Sequence, residues 1–249
     1  MKIGIMQRDI IWASAQENLR RTADAIARME PCDLLVLPEM FATGFGASPQ
    51  QVAEPAADGQ VLAWMKQVAR EHDCAIAGSV AVKVNAAFRN RLYFVMPDGT
   101  VAHYDKHHLF AYGGEDVFEA GQERTVVEWR GVRFMLLVCY DLRFPVWNRN
   151  REDYDCALYV ANWPSSRMGA WTALLHARAI ENQCFVVGVN RVGSDPNCDY
   201  TGDSAVIDAY GRDIATCPSG TECSATADLD MDRLLAFRKK FPVLKDRDI

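Results

Sequence analysis

No apolar run in this chain is long. None of its stretches approaches the roughly 18 apolar residues that a bilayer crossing requires, so no membrane span is expected. The opening segment, Met1-Lys-Ile-Gly-Ile-Met-Gln7, turns polar at Gln7 and charged at Arg8 and Asp9, so it lacks the apolar region of a secretory signal, and a cytoplasmic protein is expected. An excess of positive charge is missing too. With 27 basic against 33 acidic residues the formal net charge is −6, which argues against a partner as polyanionic as nucleic acid. The eight cysteines (32, 74, 139, 156, 184, 198, 217 and 223) form no C-x-x-C pair and do not read as a disulfide scaffold. His107 and His108 are adjacent and would point apart on regular structure, and no His/Cys cluster has zinc-site spacing, so no metal is assigned. There is no phosphate-binding loop, and no cofactor is expected. No Pro/Gly/Ser-rich linker or block of like charge interrupts the pattern, so residues 1–249 are read as one domain.

What the chain does have is apolar residues, 49% of the total, enough for a sizeable core. Lys2-Ile-Gly-Ile-Met-Gln7 reads as a short strand, Asn18 to Met29 as a helix, and Asp33-Leu-Leu-Val-Leu-Pro-Glu39 as a buried strand delivering Glu39 at its tip. A helix over Gly59 to Asp73 and strands at 74–82 and 91–96 follow, the latter closed against 101–104 by Pro97-Asp-Gly99. A second hairpin joins 125–129 to 132–138 through Arg130-Gly131. Then come an expected helix from Trp147 to Asp153, a strand at 156–162, and the strongest helix, Gly169 to Asn182. Late strands are expected at 185–190, 203–208 and 226–230, and Phe237 to Leu244 reads as an extended basic-aromatic tail packed on a neighbour. Strands apolar on both faces, mixed βα alternation and hairpins, and no eightfold repeat predict a mixed α/β sandwich of two sheets with helices on the outer faces.

Phe134 to Val138 runs straight into Cys139, which makes that thiol the candidate nucleophile. A free thiol is only slightly ionised at neutral pH, so a nucleophilic cysteine needs a base or a nearby cation. Two other strand ends carry suitable groups: Glu39 after Leu-Val-Leu-Pro, and Lys106 after His-Tyr-Asp. Singly, each has another reading: a buried inert cysteine, a glutamate capping a turn, and a solvated lysine paired with Asp105.

The ordered segments Leu37-Pro-Glu-Met40, Tyr104-Asp-Lys-His-His-Leu109 and Val138-Cys-Tyr-Asp-Leu-Arg-Phe-Pro145 resemble the nitrilase (carbon-nitrogen hydrolase) superfamily. The resemblance extends to the Ala177-Arg-Ala-Ile-Glu-Asn182 helix end, Gly202-Asp-Ser204 and Asp208-Ala-Tyr-Gly211. It implies a four-layer αββα sandwich, a Glu-Lys-Cys triad and a homodimer or larger assembly. By that resemblance Glu39 is the general base, Cys139 the nucleophile, and Lys106 the oxyanion donor together with the backbone N–H of Tyr140. A second carboxylate is implied in the loop after the lysine; Glu115, six residues before Gly121, is preferred to Asp116 and Glu119.

Within the superfamily, Leu158-Tyr-Val-Ala-Asn-Trp-Pro164 and Gly188-Val-Asn-Arg191 resemble the ω-amidases, which deaminate 2-oxoglutaramate and 2-oxosuccinamate. The expected substrate is therefore a small dicarboxylate monoamide, hydrolysed through a Cys139 thioester. A nitrilase or N-carbamoyl hydrolase using the same triad is the alternative within the enzyme class, and a non-catalytic scaffold the alternative outside it. A distal carboxylate calls for a guanidinium. Arg167 is the expected partner, Trp163 an apolar wall, and Asp141 with Arg143 a structural pair fixing the turn. His107 and His108 are expected to shape their loop, His176 to be a satisfied interior or interface histidine, and Cys74, Cys156 and Cys184 to be unreactive.

Overall fold

The computed structural model describes residues 1–248. The first half of the chain lays down β1 (Lys2–Gln7), α1 (Ala15–Ile26), β2 (Leu34–Val36), a one-turn α2 (Pro49–Val52), β3 (Glu54–Pro55), α3 (Gln60–Glu71), β4 (Ala75–Val84), β5 (Ala87–Val95) and β6 (Val101–Asp105). The second half adds β7 (Val126–Trp129), β8 (Val132–Val138), α4 (Pro145–Asn148), β9 (Cys156–Ala161), α5 (Met168–Asn182) and β10 (Phe185–Asn190). A small hairpin of β11 (Val192–Ser194) and β12 (Asp199–Thr201) follows, then β13 (Ala205–Ile207), β14 (Asp213–Thr216), β15 (Cys223–Asp228) and α6 (Met231–Lys240).

Two sheets result. One has the order β15-β1-β2-β4-β5-β6, with β3 beside β4; the other has the order β14-β13-β10-β9-β8-β7. Strand β15 therefore returns from the second half of the chain to pair antiparallel with β1, from Lys2↔Asp228 to Gln7↔Cys223. Side-chain alternation explains the layering. On β8, Phe134, Leu136 and Val138 point into the core between the sheets, while Met135 and Leu137 point outward onto α5. The outer face of the first sheet, including Leu35, Leu37 and Ile76, is covered by α1 and α3 through Ile26, Val61 and Met65. Each fully buried aliphatic side chain in these layers contributes about 1.5–3 kcal/mol of transfer free energy. The architecture is the four-layer αββα sandwich. Close seating of α5 depends on Gly188 of β10, where a Cβ would lie 2.5 Å from Leu175 Cδ1 and 3.0 Å from Trp171 Cζ2.

Several expectations are corrected. The helix read over Trp147 to Asp153 shrinks to α4, because Asn150 diverts the chain: its Nδ2 donates to Tyr154 O and Asn182 O, each at 3.0 Å, and its backbone N donates to Asn182 Oδ1 at 2.9 Å. The expected extended tail begins as the last turn of α6, which Asp230 caps by accepting Arg233 N at 2.9 Å. Its basic run clasps the chain's own body, since Arg238 donates to Asp155 Oδ1 at 2.7 Å, Gln183 O at 2.8 Å and Tyr154 O at 2.9 Å. His176 is satisfied as expected, by Thr172 O at 2.8 Å and Asp213 Oδ1 at 3.0 Å, but it is half-buried near the surface, which removes only the interior reading. Strands β11, β12 and β14 are too short and polar to stand out in the sequence. Among the described residues no helix is long and apolar enough to cross a membrane.

Candidate active site

Within the first sheet β1, β2 and β4 run parallel, and β6 shares their direction through the antiparallel β5; in the second, β8, β9 and β10 run parallel. The C-terminal ends of β2, β6, β8 and β9 converge on one rim of the sandwich, so side chains just beyond them meet although they are far apart in sequence.

Glu39 lies three residues beyond β2 and is fully buried. Its Oε1 accepts from Lys106 Nζ at 2.9 Å and from Asn90 Nδ2 at 2.8 Å, and its Oε2 accepts from Asn162 N at 2.8 Å. Asn162 Nδ2 donates to the Glu39 carbonyl. The next residue, Met40, has φ 47° and donates its N–H to Ser79 Oγ at 3.0 Å, which turns the chain sharply after the glutamate.

Lys106 directly follows β6. It too is fully buried, and its backbone N donates to Asn90 O at 2.9 Å. Its ammonium donates to Glu39 and to Glu115 Oε2, the latter at 2.6 Å. Glu115 also accepts from Phe110 N at 2.7 Å and, on Oε1, from Asn90 Nδ2 at 2.9 Å. The loop carrying Glu115 folds back at Gly121, whose N–H donates to Lys106 O at 3.0 Å. A Cβ there would lie 2.1 Å from Asp105 O, so only glycine fits. Of the rival carboxylates, Asp116 is exposed and Glu119 pairs at the surface with Arg89 at 2.6 Å.

Cys139 opens the turn after β8 with φ 44°, a left-handed conformation that costs a non-glycine residue on the order of 1 kcal/mol. Asp141 holds that turn. Its carboxylate accepts from Val138 N at 2.9 Å, Tyr104 OH at 2.9 Å and His108 N at 3.0 Å, with His108 Nδ1 at 2.8 Å. The expected Asp141–Arg143 pair is thus corrected: the aspartate's partners come from the end of β8, from β6 and from the loop after it. The His107 ring stacks on Trp147 at 3.7 Å and the His108 ring on Phe144 at 3.7 Å, so both histidines are held by the turn they brace. Tyr140 is the second residue of the turn, where helical N–H groups have no partner within the helix.

Burial pushes the Cys139 thiol well above its ordinary value; the Glu39 charge adds to this, and Lys106 pulls the other way. Burial alone would lower the Lys106 pKa, but the charges of Glu115, Glu39 and Cys139 outweigh it and hold the ammonium above its usual range. Glu115 is raised by burial, and by Glu39, against the pull of Lys106. The resting arrangement is a protonated thiol beside Glu39, Glu115 and the ammonium that bridges them.

The thiol opens into a cleft of about 610 Å³ bordered by Phe45, Phe110, Tyr140, Trp163, Arg143 and Arg167. The Arg143 guanidinium lies 4.8 Å from the Trp163 ring centroid and that of Arg167 lies 5.2 Å from the Phe110 ring centroid. Among the described residues neither guanidinium has a carboxylate within ion-pair distance. Trp163 is fixed by its indole N–H donating to Arg167 O at 2.9 Å.

Comparison with known proteins matches residues 2–239 to the family model described as "Carbon-nitrogen hydrolase". The chain belongs to the carbon-nitrogen hydrolase family. Among its relatives, the "Omega-amidase YafV" of Escherichia coli (strain K12) is 47% identical over 250 residues, covering 100% of this chain and 97% of that one. The "2-oxoglutaramate amidase" of Bacillus subtilis (strain 168) is 36% identical over 252 residues, covering 98% and 96% respectively. The crystal structure of XC1258 from Xanthomonas campestris, described as a CN-hydrolase superfamily protein with an arsenic adduct in its active site, superposes with a TM-score of 0.95 at 41% identity, covering 100% of this chain and 97% of that one. This carbon-nitrogen hydrolase is accordingly an enzyme acting on amides.

The structure brings Glu39, Lys106, Glu115 and Cys139 into one cluster, and Tyr140, Trp163 and Arg167 into the adjoining cleft. Sequence reasoning missed Asn90 and Asn162, whose amides and backbone hold the glutamates, and it read Arg143, which lines the cleft, as a structural partner of Asp141.

Proposed function

We propose that the chain is a single-domain ω-amidase that hydrolyses the terminal amide of a small dicarboxylate monoamide, of the 2-oxoglutaramate or 2-oxosuccinamate type, to the acid and ammonia. The observation that carries the reading is the pair of guanidiniums without acidic partners, Arg143 and Arg167, in the cleft into which Cys139 opens. A guanidinium resting against an aromatic ring is suited to a planar carboxylate. Relatives named omega-amidase and 2-oxoglutaramate amidase, similar over nearly their whole length, support the same substrate class.

The chemistry follows from the cluster. Glu39 takes the thiol proton as the Cys139 sulfur bonds to the amide carbon. The developing oxyanion is met by Lys106 Nζ and the Tyr140 backbone N–H. Glu39 then passes its proton to the amide nitrogen, the C–N bond breaks, and ammonia leaves a thioester on Cys139. Water gives a proton to Glu39 and its oxygen to the acyl carbon; the C–S bond breaks, the acid departs and the thiol regains the proton. Glu115 keeps Lys106 charged and aimed. Work in the cytoplasm and a homodimeric state belong to the same reading.

The test is ammonia release across monoamides of four- and five-carbon diacids in 2-oxo and 2-amino forms. The 2-oxo ω-monoamides are expected to turn over best, with Arg143→Ala and Arg167→Ala each raising KM far more for these than for a neutral amide of equal length. Ammonia released only from a nitrile or a carbamoyl compound would sink the proposal.

A further inference from the structure

We propose that Asn90 is a positioning residue of this site: one amide group ties the two buried carboxylates together, keeping the pair ionised and a Lys106 N–H free for the oxyanion. The proposal rests on the reading of Glu39 as the base.

Donor counting leads there. The Asn90 amide has two N–H bonds, and Nδ2 lies 2.8 Å from Glu39 Oε1 and 2.9 Å from Glu115 Oε1, so both are used. Lys106 has three, of which two reach Glu39 Oε1 at 2.9 Å and Glu115 Oε2 at 2.6 Å. Lysine and asparagine thus close a ring with the two glutamates, and one ammonium N–H is left over. Without Asn90, Glu115 Oε1 would lose its donor and have that N–H to turn to, and the lysine would be drawn away from the substrate.

Charge makes the same demand. Two carboxylates and one ammonium, all fully or almost fully buried, leave the cluster one negative charge in excess. Two carboxylates sharing a buried site tend to keep a proton between them. A neutral double donor offsets that tendency without adding a cation that would compete with Lys106. The titratable groups facing the pair are Lys106 from the end of β6 and Cys139 from the end of β8; β9 contributes the uncharged backbone N–H of Asn162 and the glutamate loop that of Phe110. His107 and His108 are turned away, against Trp147 and Asp141.

Asn90 has no other visible task. It is fully buried, its Oδ1 has no hydrogen-bond partner among the described residues, and its backbone carbonyl accepts from Lys106 N at 2.9 Å. A purely structural buried amide would be expected to use its acceptor as well as its donors.

The experiment is the pH profile of kcat/KM for amide hydrolysis, with the pH dependence of Cys139 alkylation by iodoacetamide, in wild type, Asn90→Ala, Asn90→Ser and Glu39→Gln. In Asn90→Ala the acid limb of both profiles is expected to move up by about one pH unit or more, with kcat down roughly 10- to 100-fold at neutral pH and partly recovered at high pH. Asn90→Ser retains one donor and should fall between; it carries the test if the alanine variant does not fold. A loss of rate equal at every pH, with both limbs in place, would overturn the positioning role. If Glu39→Gln is inactive while the Asn90 variants show no shift, the inference alone fails; if Glu39→Gln keeps wild-type turnover, the base assignment beneath it fails as well.

Discussion

Replacing Asp141 by asparagine tests how Cys139, the proposed nucleophile, is held. The wild-type carboxylate is fully buried and its two oxygens serve four donors, from Val138 N, Tyr104 OH, His108 N and His108 Nδ1. An amide keeps one oxygen. Its NH2 group then faces two former donors: Tyr104 can rotate its hydroxyl to accept, but the second donor is left facing an N–H. A buried donor without a partner costs about 1–3 kcal/mol, and the charge-assisted character of the surviving bonds is lost as well. The sum is about 2–4 kcal/mol. For a chain of this size that is a fall in Tm of roughly 5–15 °C. The same substitution loosens the turn that keeps Cys139 at φ 44°, so kcat should fall about 10- to 100-fold with KM little changed. Thermal melts followed by circular dichroism, alongside steady-state ammonia release, measure both. An Asp141→Asn enzyme that melts with the wild type and keeps its kcat would refute the reasoning.

Burial alone would raise the Asp155 carboxyl, but hydrogen bonds from Arg133 and Arg238 prevail and hold it below its ordinary value. A lowered folded-state pKa contributes stability that is present above the unfolded value of about 3.9 and lost as pH falls through the folded one. Urea midpoints measured from about pH 5 downward should therefore drop in the wild type, and this part of the drop should be missing in Asp155→Asn, which is less stable at neutral pH. Gly188→Ala should cost about 1–3 kcal/mol, read as a lower urea midpoint, because the new methyl meets Leu175 at 2.5 Å and Trp171 at 3.0 Å across the α5 interface. An unchanged midpoint would mean that α5 shifts without cost.

The strands that build the inner core were legible because a sheet covered on both faces leaves no polar alternation: 134–138, 156–161 and 185–189 are apolar throughout, and all three lie in buried strands. Glu39 and Cys139 were legible for the same reason, as each ends such a run, whereas Lys106 follows the polar stretch His103-Tyr104-Asp105. That they belong together came from the family resemblance, since nothing in local sequence encodes which strand ends meet. Asn90 went unseen because it sits inside β5 and reaches the site only through register: Arg91 pairs with Asp105, which sets Asn90 beside Lys106. Arg143 was misread because proximity in sequence suggested Asp141 as its partner, whereas the turn sends the two side chains to opposite sides. The C-terminal helix was hidden by its basic face, whose Arg238 is spent on Asp155 and on backbone carbonyls rather than on solvent or a partner.

The central claim is that Cys139 carries the acyl group during turnover. Rapid acid quench of the enzyme turning over a 2-oxo ω-monoamide, followed by intact-mass and peptide analysis, should find the acyl mass on the peptide containing Cys139, cleared when substrate is exhausted. Cys139→Ala should show neither adduct nor ammonia release. Turnover by that variant at the wild-type rate, or an acyl group found on any other residue, would contradict the account.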